Sequence, residues 1–151
     1  MSEDPMLDDV VQKFYAAAAR QKQSDAEKAA AEEEARVRSK DLASQWRHAR
    51  EGFFNQFNSI NSSIAPTGYS MVYRLVEQSN QRLGIVIVAL SGDDLHDDAK
   101  RRQLRVTGHN SGIFEAHADT GNSLHLTAGI MDLPRMSREI LLTYLKEQTL
   151  D

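Results

Sequence analysis

Hydrophobic residues recur at steps of three and four along one stretch of the chain: Leu42, Trp46, Ala49, Phe53, Phe57, Ile60 and Ile64. That spacing puts them on one side of a helix, with Arg47, His48, Arg50, Glu51 and Asn55 largely off the stripe. A tryptophan and two phenylalanines, each able to bury on the order of 150–250 Å², demand a large apolar partner. Phe54, one residue out of register, widens the apolar face. Gly52 costs roughly 1 kcal/mol relative to alanine inside a helix. It suggests either a close backbone approach or plain tolerance.

Pro66 and Gly68 end this helix, and the pattern changes period. Tyr69 to Val76 and Leu83 to Leu90 are rich in β-branched and aromatic residues and predict two strands joined by the polar segment Glu77 to Arg82. The second is apolar on both faces, which predicts a central strand covered on each side, or covered on one side and shared with an interface on the other. Gln103 to His109 and Ile113 to Ala118 alternate around Asn110-Ser111-Gly112, a hairpin turn. Ser123 to Gly129 follows a further turn, and Pro134 and Ser137 open a last helix with Ile140, Leu141, Tyr144 and Leu145 on its apolar face.

Short connections make an antiparallel meander the simplest topology. The expected fold is α+β: a long N-terminal helix, a five-stranded antiparallel meander sheet and a C-terminal helix, with the helices on one face of the sheet. Trp46, Phe53 and Phe57 are then expected to meet Leu104, Val106, Leu124 and Leu126.

The first forty residues follow another pattern. Pro5 to Ala19 predicts a short amphipathic helix, with Pro5 in its first turn, Asp8 and Asp9 near its positive end, and Leu7, Val10, Val11, Phe14 and Ala18 on one side. From Arg20 to Lys40 the stripe gives way to alanine, glutamate, lysine, arginine and glutamine, strong helix formers with no core to bury. Glu32 with Arg36 and Glu34 with Arg38 are acid-before-base pairs four apart. A heptad frame carried back from Trp46 meets Ala35, Glu32, Lys28, Asp25 and Gln21, a seam too polar to hold two chains by itself. Residues 1–40 are therefore read as a helical or partly disordered arm, and residues 41–151 as an α+β globular domain.

At 151 residues with 40% hydrophobic content the chain suffices for one real core. A net charge of −4 argues against a coat for nucleic-acid phosphates. The absence of cysteine excludes disulfides, thiolate catalysis and Cys-ligated zinc. No signal-like or membrane-length apolar run occurs, so a soluble cytoplasmic protein is expected.

Three groups of residues carry candidate chemistry. His109, His117 and His125 fall near or within the last three strands, and Glu115 shares a face with His117. Converging imidazoles and a carboxylate would suit zinc or another divalent ion, although the spacing matches no metal motif. The loop Ser91 to Asp98 holds four aspartates and His96, without the EF-hand pattern. Lys100, Arg101, Arg102 and Arg105 form a basic quartet, with Thr107 near by, but little aromatic stacking surface surrounds it. Ser62, Ser63, Ser91 and Ser111 sit in no nucleophile-elbow pattern and no phosphate-cradling loop occurs.

The chain is therefore expected to be no enzyme and to need no cofactor or resident metal. It is read as a non-catalytic protein–protein interaction or oligomerisation module, adaptor or chaperone-like. Its partner is a protein or a second copy rather than a membrane or nucleic acid, and Leu7, Val10, Val11 and Phe14 are the binding tip. The alternative is a metal-binding regulator or metal-dependent hydrolase using the sheet-face histidines. In size, acidity and α+β make-up the chain loosely resembles the chaperones that shield secreted bacterial effectors, which often dimerise. Their sheets usually carry a helix after the third strand, whereas the break at Ser91 to Arg102 follows the second.

Overall fold

The computed structural model describes residues 4–93, 95, 102–118 and 124–148. The chain divides into two compact units, Met1–Lys40 and Asp41–Asp151. Helix α1, Pro5–Ile64, supplies the first unit and opens the second. Asp4 caps it, its Oδ1 accepting the main-chain N–H groups of Met6 and Leu7 at 3.1 and 3.2 Å. The sequence reads residues 1–40 as a helical or partly disordered arm, and the described residues from Pro5 to Lys40 are helical. Between Pro5 and Ile64 there is no proline, and Gly52 is the sole glycine, so nothing in the backbone chemistry stops the helix. It ends in a 3₁₀ turn, Ala65–Thr67, closed by Gly68 in the left-handed conformation at φ +87°.

The second unit holds five strands in sequential antiparallel order: β1 Met71–Val76, β2 Arg82–Leu90, β3 Leu104–His109, β4 Ile113–Ala118 and β5 Leu124–Gly129. A 3₁₀ turn, Ile130–Asp132, leads into α2, Leu133–Lys146. The architecture is the α+β meander expected. Gly112, at φ +90°, closes the β3–β4 turn by donating to the His109 carbonyl at 3.0 Å.

One face of the sheet meets both helices. Trp46, Phe53 and Phe57 share a continuous core with Val86, Val88, Leu104, Val106 and Phe114, while Leu124 and Leu126 pack on it half-buried. Phe53, Phe54, Phe57 and Tyr73 form a cluster of rings with centroids 4.6–5.9 Å apart, edge-to-face except for the tilted Phe54–Tyr73 pair. From α2, Ile140, Leu141 and Tyr144 close the same core. The approach suggested by Gly52 is that of Pro134: a Cβ at position 52 would lie 2.7 Å from the Pro134 Cβ.

The doubly apolar strand is interior to the sheet, as expected, between β1 and β3. β2 is second in the sheet and β3 is central. The outer side of β2 is closed, with Ile85, Ile87 and Ala89 at 4%, 0% and 0% exposure. Register sets Arg74 and Arg105 on either side of Ile87, so their aliphatic stems flank it while their charged heads stay on the outer face.

Candidate functional site

Strand register decides which polar side chains share the face turned away from the helices. Arg105 pairs with His117, which pairs with His125, and Thr107 pairs with Glu115, which pairs with Thr127. Side chains alternate along each strand, so these residues stand opposite Val106, Ala116 and Leu126. The three histidines of the sequence reading lie along this face, two of them beside one carboxylate. The two oxygens of Glu115 lie 3.8 Å from His109 Nε2 and 3.6 Å from His125 Nε2. The rings of His117 and His125 meet edge-to-face at 5.8 Å.

This row borders a shallow groove of about 460 Å³ lined by Arg82, Arg105, Thr107, His109, Glu115 and His117 among others. The carboxylate–imidazole separations are longer than a hydrogen bond, and the three side chains keep 35–60% of their surface exposed. Among the described residues, no three His, Asp or Glu side chains come together in an arrangement able to hold a metal ion. The groove therefore presents mixed charge to solvent.

The other candidate groups are described only in part. Of the acidic loop, Asp93 lies 3.6 Å from Arg102, while Asp94, His96, Asp97 and Asp98 fall outside the described residues, as do Lys100 and Arg101 of the basic quartet. Among the serines, Ser63 donates to the Ser59 carbonyl at 3.3 Å and the main-chain N–H of Ser91 donates to Ser70 at 2.8 Å. No helix among the described residues is long and apolar enough to cross a membrane.

In the first unit every described residue from Asp4 to Lys40 is exposed. Leu7, Val10, Val11 and Phe14 show 54%, 43%, 42% and 68% of their surface to solvent. Met6 and Tyr15, at 77% and 74%, extend the patch and were missed by a reading confined to a single stripe. Their signal was adjacency to that stripe. Farther along, Arg36 pairs with Glu33 at 2.6 Å rather than with Glu32, a one-turn contact that pulls the Glu33 carboxyl below its usual range.

No protein-family model, curated protein or solved structure matches the chain.

Proposed function

We propose that the chain is a non-catalytic protein-interaction and oligomerisation module that associates through its N-terminal helical arm. The observation that carries this reading is the apolar tip, from Met6 to Tyr15, left in solvent by a unit that has nothing of its own to cover it. A polar helix can be solvated all round, but one bearing Leu, Val, Phe and Tyr within three turns gains by burying them. Covering Leu7, Val10, Val11 and Phe14 is worth at most roughly 1.5–3 kcal/mol apiece. Two such tips offset an association cost on the order of 4–15 kcal/mol.

The 41–151 unit supports the same reading from the other side. Trp46, Phe53 and Phe57 are spent on the sheet at 3%, 0% and 3% exposure. Its polar groove is open to water.

Sedimentation equilibrium of the full chain tests the proposal. The mass is expected to rise with concentration above the 17.0 kDa of one chain, and Phe14→Asp, at an exposed position, is expected to return it to the monomer without loss of helix by circular dichroism. A monomer at every concentration, or association indifferent to Phe14→Asp, would remove the arm from this role.

A further inference from the structure

Independently of the arm, the 41–151 unit keeps an open sheet edge, and we infer that this edge takes a short acidic peptide as an added antiparallel strand. β1 is an edge strand, with β2 as its one neighbour in the sheet. In an antiparallel pair, successive residues turn their main-chain groups alternately toward the neighbouring strand and away from it. The Ser70 carbonyl accepts the Ser91 N–H at 2.8 Å, so Ser70, Val72, Arg74 and Val76 turn theirs toward β2. Met71, Tyr73 and Leu75 therefore turn theirs to the outer edge. Asn61 takes both groups of Met71. Among the described residues, no hydrogen-bonding partner meets those of Tyr73 or Leu75, whose side chains are 49% and 42% exposed.

Two open residues with a plug beside them fix where a strand can be added. An antiparallel segment would exchange two hydrogen bonds with Leu75 and, two residues later, two with Tyr73. Asn61 stops it from continuing along Met71. Residues opposed in an antiparallel pair point to the same face, so both of these peptide side chains lie on the side of Tyr73 and Leu75. That is the helix side, where the Tyr73 ring meets those of Phe54 and Phe57 with centroids 4.6 and 5.5 Å away. The residue between them points to the outer face, beside Arg74.

The surroundings on the helix side choose the chemistry. At the Leu75 end lies a groove of about 570 Å³ lined by Trp46, Arg47, Arg50, Leu75 and Glu77 among others. Two guanidiniums against one carboxylate give it a positive balance, and among the described residues neither arginine is in an ion pair. At the Tyr73 end the wall is aromatic, from Phe54 and Tyr73 itself. The complementary segment, running against β1, carries an acidic residue opposite Leu75, then any residue, then an apolar residue opposite Tyr73. A second copy of β1 suits this edge poorly. Matching Tyr73 to Leu75 in both directions would set Arg74 on Arg74 and bring no acid to the groove.

The probe is a capped hexapeptide, Ac-Thr-Thr-Glu-Thr-Val-Thr-NH2, titrated into the isotope-labelled full chain and followed by amide chemical shifts. The amides of Tyr73 and Leu75 are expected to move most, and those of β5 at the far edge to stay. N-methylation of the peptide's Glu or Val removes a strand-facing N–H and is expected to abolish binding. N-methylation of the Thr between them, whose N–H points away, is expected to leave it. Replacing the peptide's Glu by Lys is expected to weaken binding about fivefold, as is Arg50→Glu in the chain, and combining the two to recover most of the loss. No shift at Tyr73 and Leu75 with millimolar peptide, shifts centred elsewhere, or indifference to which amide is methylated would overturn the added strand. Binding that obeys the methylation pattern but ignores both charge changes would overturn the acidic specificity. Shifts at Tyr73 and Leu75 that grow with protein concentration in the absence of peptide would give the edge to a second copy and overturn the peptide as its occupant. None of these results bears on association through the arm.

Discussion

Trp46 lies flat on the backbone of Gly108. A Cβ there would fall 2.6 Å from the indole Cε3, and Gly84, the cross-strand partner of Gly108, would place one 2.9 Å from Nε1. The largest side chain of the helix thus rests on a paired-glycine floor spanning β2 and β3, which brings α1 close to the sheet. Gly108→Ala is expected to cost about 1–3 kcal/mol by overpacking, and Trp46→Ala about 3–5 kcal/mol by leaving a cavity. In a double-mutant cycle followed by urea unfolding, the alanine at 108 should cost much less once the indole is gone. Equal costs in both backgrounds would mean that the ring and the glycine do not limit each other.

A second close approach tests helix against helix. Gly52→Ala gains about 1 kcal/mol of helix propensity, but the new methyl would meet Pro134 at 2.7 Å. The steric loss, about 1–3 kcal/mol in packed interiors, is expected to win. The melting temperature should fall, and a rise would show that α2 yields freely.

Asn61 ties the end of α1 to the start of β1. Its Oδ1 accepts the Met71 N–H at 2.7 Å and its Nδ2 donates to the Met71 carbonyl at 3.1 Å. Met71 is 3% exposed, so water cannot readily replace either bond. Asn61→Ala should cost about 1–3 kcal/mol. Asn61→Asp keeps the acceptor but turns a carboxylate oxygen toward a carbonyl, so its penalty should shrink in acid as the carboxyl gains a proton. Chemical unfolding at neutral and acidic pH measures both, and a pH-independent Asn61→Asp penalty would contradict the geometry.

The Tyr144 hydroxyl donates to the Arg102 carbonyl at 2.7 Å. Burial, reinforced by Asp93, pushes its phenol well above the ordinary tyrosine range. In the unfolded chain the same phenol ionises near its ordinary value of about 10. Above that pH the unfolded state has released a proton that the folded state keeps, so this contribution to stability is whole below it and declines as pH rises beyond it. Tyr144→Phe should lower stability at neutral pH by about 1–3 kcal/mol, and the gap from wild type should narrow in alkali. A gap constant through the alkaline range would refute this account of the phenol.

The periodicities made most of this architecture legible. β4 begins and ends at Ile113 and Ala118 as read, because the Asn110-Ser111-Gly112 turn marks its start and strict alternation carries it onward. β1 starts at Met71, later than Tyr69, and the Met71 main chain is held by Asn61, a partner ten residues away that no local pattern announces. The glycine floor beneath Trp46 depends on the β2–β3 register, and the Tyr144 bond on the return of α2 to Arg102; both are long-range relationships. Alternation alone placed the histidines on the outer face, but only register set Glu115 between His109 and His125. On the arm, the stripe revealed Leu7, Val10, Val11 and Phe14, while Met6 and Tyr15 lie beside it.

Amide hydrogen exchange of the full chain in dilute and concentrated solution tests the central claim most directly, because it reports where association occurs as well as whether it does. Arm association predicts that peptides within residues 5–40 slow with concentration while those of the sheet and α2 keep their rates. Arm amides that exchange at the same rate at both concentrations, or protection that grows on the sheet instead, would contradict it.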